Sequence, residues 1–153
     1  MRRRHLATAV FCILAVLLAG CGYKDGTYSA EFTNFDSLGY KDRLQITVTD
    51  GVITDAQFDG VNEEGGLKSE DEAYASRMRP LCGTDPAGIR QYYSEALTGL
   101  KDPKDLEVDA VSGATVSAQH FAALWQALQT PMKKGETDPV TVADIPEFSP
   151  AAS

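Results

Sequence analysis

The chain has 153 residues, enough for one domain, and its 22 acidic residues outweigh 14 Lys and Arg to leave a net charge of −8. That balance argues against nucleic acid as a partner, because phosphate-backbone binding needs clustered Lys and Arg. It argues equally against a polybasic surface that docks onto anionic lipid.

The first 22 residues, MRRRHLATAVFCILAVLLAGCG, place three arginines before an apolar run, Leu6–Gly20, and then a cysteine. A run of 15 residues is short for a membrane-spanning helix and suits the apolar region of an export signal. Leu18-Ala19-Gly20-Cys21 resembles a bacterial lipobox, which directs cleavage before the cysteine and lipid attachment to it. Residues 1–20 are therefore expected to be a removed lipoprotein signal peptide. Cys21 is then a lipidation site carrying diacyl (palmitate-type) chains, and residues 21–24 a lipid-anchored linker. The expected location is the extracytoplasmic face of the cell membrane, with two acyl chains giving stable anchoring. Loss of residues 1–20 removes three arginines and no acids, so the charge moves from −8 to −11. Of the three cysteines only Cys82 then remains unmodified, so no internal disulfide forms and a small buried role is expected for it. His120 is left as the only histidine, and no Cys/His cluster offers a metal site.

Along the mature chain, Gly26–Thr33 reads as a first strand. Arg43–Thr49 alternates, with Leu44, Ile46 and Val48 on one face; Asp50-Gly51 follows, and VITDAQF resumes the β pattern. Two such runs split by Asp-Gly predict a hairpin. A two-residue turn pairs Val48 with Ile53 but puts Asp55 and Gln57 on the apolar face. Since Ala56 and Phe58 are the better core residues, a bulge near Thr54 or coverage of both faces is expected. Ser69-Glu70-Asp71-Glu72 has the capping-box pattern, with Ser69 at the N-cap and Glu72 at N3 of a helix that Pro80 closes. A second helix starts at Asp85-Pro86 and ends before Gly99, with Ile89, Tyr92, Tyr93 and Leu97 at helical spacing. Leu106–Asp109 reads as a short strand. Phe121, Leu124, Trp125 and Leu128 then mark a core-facing helix. Residues 135–153 read as an extended strand and a loose tail. The order predicts an α+β single domain, a mainly antiparallel sheet with an N-terminal hairpin, packed by about three helices.

Residues 109–117, DAVSGATVS, stand just ahead of that last helix. A helix N-terminus points unsatisfied N–H groups outward and carries partial positive charge, which suits a phosphate. Gly113 and Ala114 leave the backbone open to an anion, and Thr115 and Ser117 bring hydroxyls there. Taken alone, the stretch favours a simple cap in which Ser117 accepts from the N–H of His120.

Asp109-Ala110-Val111-Ser112-Gly113-Ala114-Thr115 resembles the flavinylation motif of the FMN-binding domain family. That family includes flavin-carrying subunits of the sodium-pumping NADH:quinone reductase and of the Rnf complex, and small lipoproteins of extracellular electron transfer. The resemblance implies FMN joined through its phosphate to Thr115 by a dedicated flavin transferase. Ser112, Gly113 and Ala114 would then surround the phosphate, and Asp109 would serve recognition by the transferase. The likeness continues in Asp25-Gly26-Thr27-Tyr28, in Val48-Thr49-Asp50-Gly51, and in Asn62–Ser69 followed by Asp71-Glu72-Ala73-Tyr74, and covers about residues 25–142. It implies an FMN-binding domain there and a C-terminal tail over residues 143–153. A glycine-containing loop of the respiratory subunits lies against the flavin ring, so Gly65, Gly66, Leu67 and Lys68 are expected cofactor contacts; their loop departs from the Glu-Thr-Pro-Gly-Leu-Gly form.

With one histidine, one thiol and no evident acid–base pair, the side chains themselves supply little catalysis, so no catalytic residue and no metal is expected. A bound flavin would carry the reactivity. The expected function is a membrane-tethered extracytoplasmic electron carrier that relays electrons from a membrane donor to an extracellular or envelope acceptor. The alternatives are a redox-silent surface binding or structural lipoprotein of the same fold, and a flavin reductase or a partner subunit of one.

Overall fold

The protein was analysed as a computed structural model, which describes residues 22–107 and 114–145. Strand β1 (Gly26–Phe32) lies between β2 (Tyr40–Thr49) and β4 (Val140–Val142), and β3 (Val52–Asn62) follows β2 at the other edge, giving the order β3-β2-β1-β4. The first three strands are antiparallel; β4 joins β1 in parallel, through the register Ala30↔Val140 to Phe32↔Val142. Three α-helices are described: α1 (Glu72–Cys82), α2 (Pro86–Leu97) and α3 (Thr115–Lys134). This is the expected α+β domain with its mainly antiparallel sheet.

The hairpin forms as expected. Asp50 and Gly51 both take positive φ, 51° and 73°, the combination that a two-residue turn matching the strand twist requires. Val48 faces Ile53 and Thr47 faces Asp55, so Thr54 is the extra residue of a bulge. That one-residue slip restores the apolar face: Leu44, Ile46, Val48, Ile53, Ala56 and Phe58 are all buried. Their neighbours Gln45, Thr47, Asp55 and Gln57 point to the other, more open face.

Helices α2 and α3 cover the apolar face. Asp85 accepts from the Gly88 N–H at 2.8 Å with Pro86 in the first turn, and Gly99 takes φ 94° just beyond the helix, as the sequence predicts. Phe121 of α3 stacks on Tyr93 of α2 at 3.9 Å and 18°, and Phe58 of β3 meets both edge-on. Edge and face contacts of this kind add about 0.5–1.5 kcal/mol per pair beyond the burial itself. Leu124, Leu128 and Met132 extend the buried stripe of α3 at turn spacing.

Several local expectations are corrected. Asp71, not Ser69, caps α1 by accepting from the Tyr74 N–H at 2.9 Å, because Ser69 is already used in a 3-10 turn (Lys68–Glu70) and bonded to Asp59. Pro80 does not close α1; the helix continues to Cys82 and ends on Gly83 at φ 70°. Near a C-terminus the lost N–H bond is confined to the last turns, and the left-handed glycine supplies the stop. Cys82 is half-buried rather than buried. Leu106 and Glu107, the described half of the strand expected at Leu106–Asp109, pair with no strand. The described part of the segment 21–24 is no free linker: Tyr23 is 4% exposed. Likewise 143–145 is tied down, since Asp144 accepts from the Asn34 backbone N–H at 3.1 Å. Among the described residues no helix is long and apolar enough to cross a membrane.

Candidate functional site

The C-terminal ends of β1 and β3 and the start of β2 meet the first turns of α3 at one end of the sheet. Asp42 marks the place. It shares the β2 face of Leu44 and Ile46, and its Oδ2 lies 2.7 Å from His120 Nδ1 on α3. His120 in turn lies against Phe32 of β1, with ring centroids 4.7 Å apart. These residues, with Phe35 and Tyr40, wall a groove of about 260 Å³. A smaller cavity of about 40 Å³ shares Asp42 with it and is bounded by Gly60, Lys68 and Ser117.

Helix α3 begins beside this region. Its N-cap is Ala114, whose methyl makes no cap bond, and its first turn holds no acid. The Ser117 cap is therefore corrected: Ser117 lies inside the first turn and lines the smaller cavity. The N–H groups and the positive dipole end of such a helix start suit an anion.

Lys68 supplies the second positive feature. Its Nζ is 3.3 Å from Asp36 Oδ2, 4.7 Å from the centre of the Tyr74 ring and 5.5 Å from that of Tyr40. Burial works against the ammonium, but its interactions with Tyr74, Asp36 and Asp42 outweigh it and raise the pKa, so Lys68 stays charged. Gly60 is what admits it: a Cβ there would come within 2.9 Å of Lys68 Cβ and Cδ.

The turn carrying Lys68 is held from below by Asp59, the one buried charged residue among those described. Asp59 accepts from the Ser69 N–H (3.1 Å), the Ser69 hydroxyl (2.5 Å) and Arg90 of α2 (3.3 Å). Burial pushes its carboxyl above the usual carboxylate value, partly offset by the Ser69 bonds and Arg90.

Of the residues singled out from the sequence, Ala114, buried, and Thr115, exposed, stand at the start of α3 and border neither cavity, while Lys68 lines the smaller one. Gly65, Gly66 and Leu67 sit in the preceding loop and border neither cavity. The side chain of Asn62 accepts from the Glu64 and Gly66 N–H groups, and a Cβ on Gly66 would come within 2.8 Å of it. Asp109, Ser112, Gly113 and Cys21 lie outside the described residues. Not anticipated were the Asp42–His120 pair, the Phe32, Phe35 and Tyr40 wall, and the Asp59–Ser69–Arg90 support. One signal was available: a charge at Asp42, in register with Leu44, Ile46 and Val48, breaks an otherwise apolar face.

An acid-free helix start, a charged lysine and an aromatic groove suit a phosphate attached to a flat ring. At about 260 Å³ the groove is under the ~300 Å³ at which enclosed small-molecule pockets begin, so it holds such a ligand only in part. The carboxylates nearby do not oppose the phosphate unpartnered, since Asp36, Asp42 and Asp59 each face a cation or donor. The fold and site thus define an α+β domain built to bind a phosphate-bearing aromatic ligand.

Residues 39–129 match the family model described as FMN-binding domain, and the chain belongs to that family. It is 35% identical over 130 residues to the 15 kDa lipoprotein of Treponema pallidum (strain Nichols), across 83% of this chain and 91% of that one. A crystal structure of the CPE2226 protein from Clostridium perfringens shares its fold with a TM-score of 0.71 and 32% identity, covering 80% of this chain and 99% of that chain.

Proposed function

We propose that the protein is a lipid-anchored extracytoplasmic flavoprotein that carries one FMN covalently on Thr115 and relays electrons between redox partners. The observation that carries this reading is the start of α3: Thr115 begins an acid-free helix whose next turns bring Ser117 to the cavity that Lys68 lines and His120 to the aromatic groove. The first-turn N–H groups and Lys68 would hold the phosphate, while Phe32, Phe35 and Tyr40 would shelter part of the ring. When bound, the flavin supplies one- and two-electron chemistry that no side chain here offers. The Asp42–His120 pair would place an imidazole in the groove wall, oriented by its carboxylate. A phosphoester also suits a protein outside the cytoplasm, where a dissociated cofactor is lost. Family membership and the lipoprotein relative support the assignment; the lipid would sit on Cys21.

The test is flavin fluorescence retained in a denaturing gel after coexpression with a flavin transferase and export. The mature protein should gain the mass of one FMN less one water, and Thr115→Val should lose both signals. A fluorescent band that survives Thr115→Val refutes Thr115 as the attachment point.

A further inference from the structure

The chain just after Cys21 is built into the domain. Tyr23 is 4% exposed and meets Trp125 edge-on at 6.4 Å. The Lys24 N–H donates to the Met132 carbonyl at 2.8 Å, and the Tyr28 hydroxyl donates to the Lys24 carbonyl at 2.7 Å. Asp25 accepts from the Gly51 N–H at 3.0 Å. Only Gly22 separates these fixed residues from Cys21, so a lipid there leaves almost no slack between bilayer and fold.

The fixed foot and the site are at opposite ends. β1 runs from Gly26 at the foot to Phe32 in the groove, about 20 Å at ~3.4 Å per residue. α3 runs the other way, from Thr115 to Met132 beside Lys24, about 25 Å at ~1.5 Å per residue. Both elements give the same axis. Among the described residues, three of the four large exposed apolar ones, Phe35, Leu38 and Val116, belong to the far end, where Phe35 borders the groove and Val116 follows Thr115. Glu63, Glu64 and Glu70 share that end. Apolar side chains exposed at the mouth of a groove offer a contact surface for a partner protein.

Resting on Thr115 as the flavin site and Cys21 as the anchor, we infer that the domain stands upright with its groove facing away from the bilayer, so that it is reduced by a protein-borne centre in the aqueous phase and not by a lipid-dissolved quinol. Electron transfer falls off exponentially with distance, and a gap of about 20–25 Å defeats direct transfer from the membrane plane. Two electrons, taken one at a time from a reduced iron–sulfur centre or as a pair from a reduced flavin, leave the donor, which is oxidised, and pass to the FMN; the accompanying protons come from water.

The orientation is tested on the mature lipoprotein in phosphatidylcholine/phosphatidylglycerol vesicles with a headgroup acceptor dye. Donor labels go on Leu38→Cys at the groove end or Glu136→Cys at the foot, each with Cys82→Ser. Energy transfer should be strong from position 136 and several-fold weaker from position 38. Inserting about twenty Gly/Ser residues between Gly22 and Tyr23 frees the domain and should erase the contrast. Equal transfer from both labels in the native chain overturns the inference, as does a chain that does not stay with the vesicles. In the same vesicles, menaquinol should bleach the flavin at least tenfold more slowly in the native chain than in the insertion variant, whereas reduced ferredoxin bleaches both. Equal quinol rates overturn the inference too. Loss of covalent flavin with the energy-transfer contrast intact refutes the flavin assignment and the donor class, but leaves the upright orientation standing.

Discussion

Asp59 gives the sharpest test of how the site is supported. Truncation in Asp59→Ala strips the Ser69 N–H and hydroxyl of their acceptor and leaves Arg90 without its carboxylate. An orphaned donor costs about 1–3 kcal/mol, and the half-buried Arg90 pair adds about 1 kcal/mol or less after solvent screening. The expected loss at neutral pH is about 2–4 kcal/mol, a fall in Tm on the order of 10 °C for a domain of this size. The pH dependence has a definite sign. Burial raises the Asp59 carboxyl above its unfolded value, so the folded state holds its proton more tightly. The contribution of Asp59 is then greatest below the unfolded carboxylate pKa and declines as pH rises through the folded one. Urea denaturation of wild type and Asp59→Ala from about pH 3.5 to 7 should show the difference in stability shrinking with pH. A difference that grows over that range would show that Arg90 and Ser69 stabilise the charge by more than burial penalises it, and would refute the reasoning.

The remaining predictions concern the core, the lysine, the turn and the foot. Phe121→Ala removes a ring packed on Phe58 and Tyr93 and should cost about 3–5 kcal/mol in chemical denaturation. Gly60→Val should displace the Lys68 stem, lowering the yield of covalent flavin in gel fluorescence while circular dichroism remains folded. Lys68→Met should lower that yield as well, and Lys68→Arg should restore part of it. Gly51→Ala, at φ 73°, should cost about 1 kcal/mol, read as a shift in the denaturation midpoint. Tyr23→Ala should increase backbone hydrogen exchange at Lys24 and leave exchange in α2 unchanged, because only the foot loses its anchor.

Much of this protein is local, and the sequence carries it. The Asp-Gly pair dictates the hairpin because only that turn accepts two successive positive φ values, and the parity conflict around Asp55 demands the bulge at Thr54. The i, i+3, i+4, i+7 series in α3 fixes which face is buried. The family was also legible, through a short motif whose residues sit at one position in the chain. Less local choices were not. Ser69 and Asp71 are both competent caps, and the decision falls to Asp71 because Asp59, ten residues upstream, claims Ser69. Asp42 and His120 are 78 residues apart, and nothing in either neighbourhood announces the pair. Nor does sequence spacing reveal that Gly60 clears space for Lys68, that Tyr23 is a fixed foot, or that the foot and the groove lie at opposite ends. Periodicity and turn chemistry act between near neighbours, so the chain alone determines its elements and its motif. Which side chains share a cavity, and which end of the domain faces the anchor, depends on antiparallel packing of α3 against β1, and that exists only once the chain has folded.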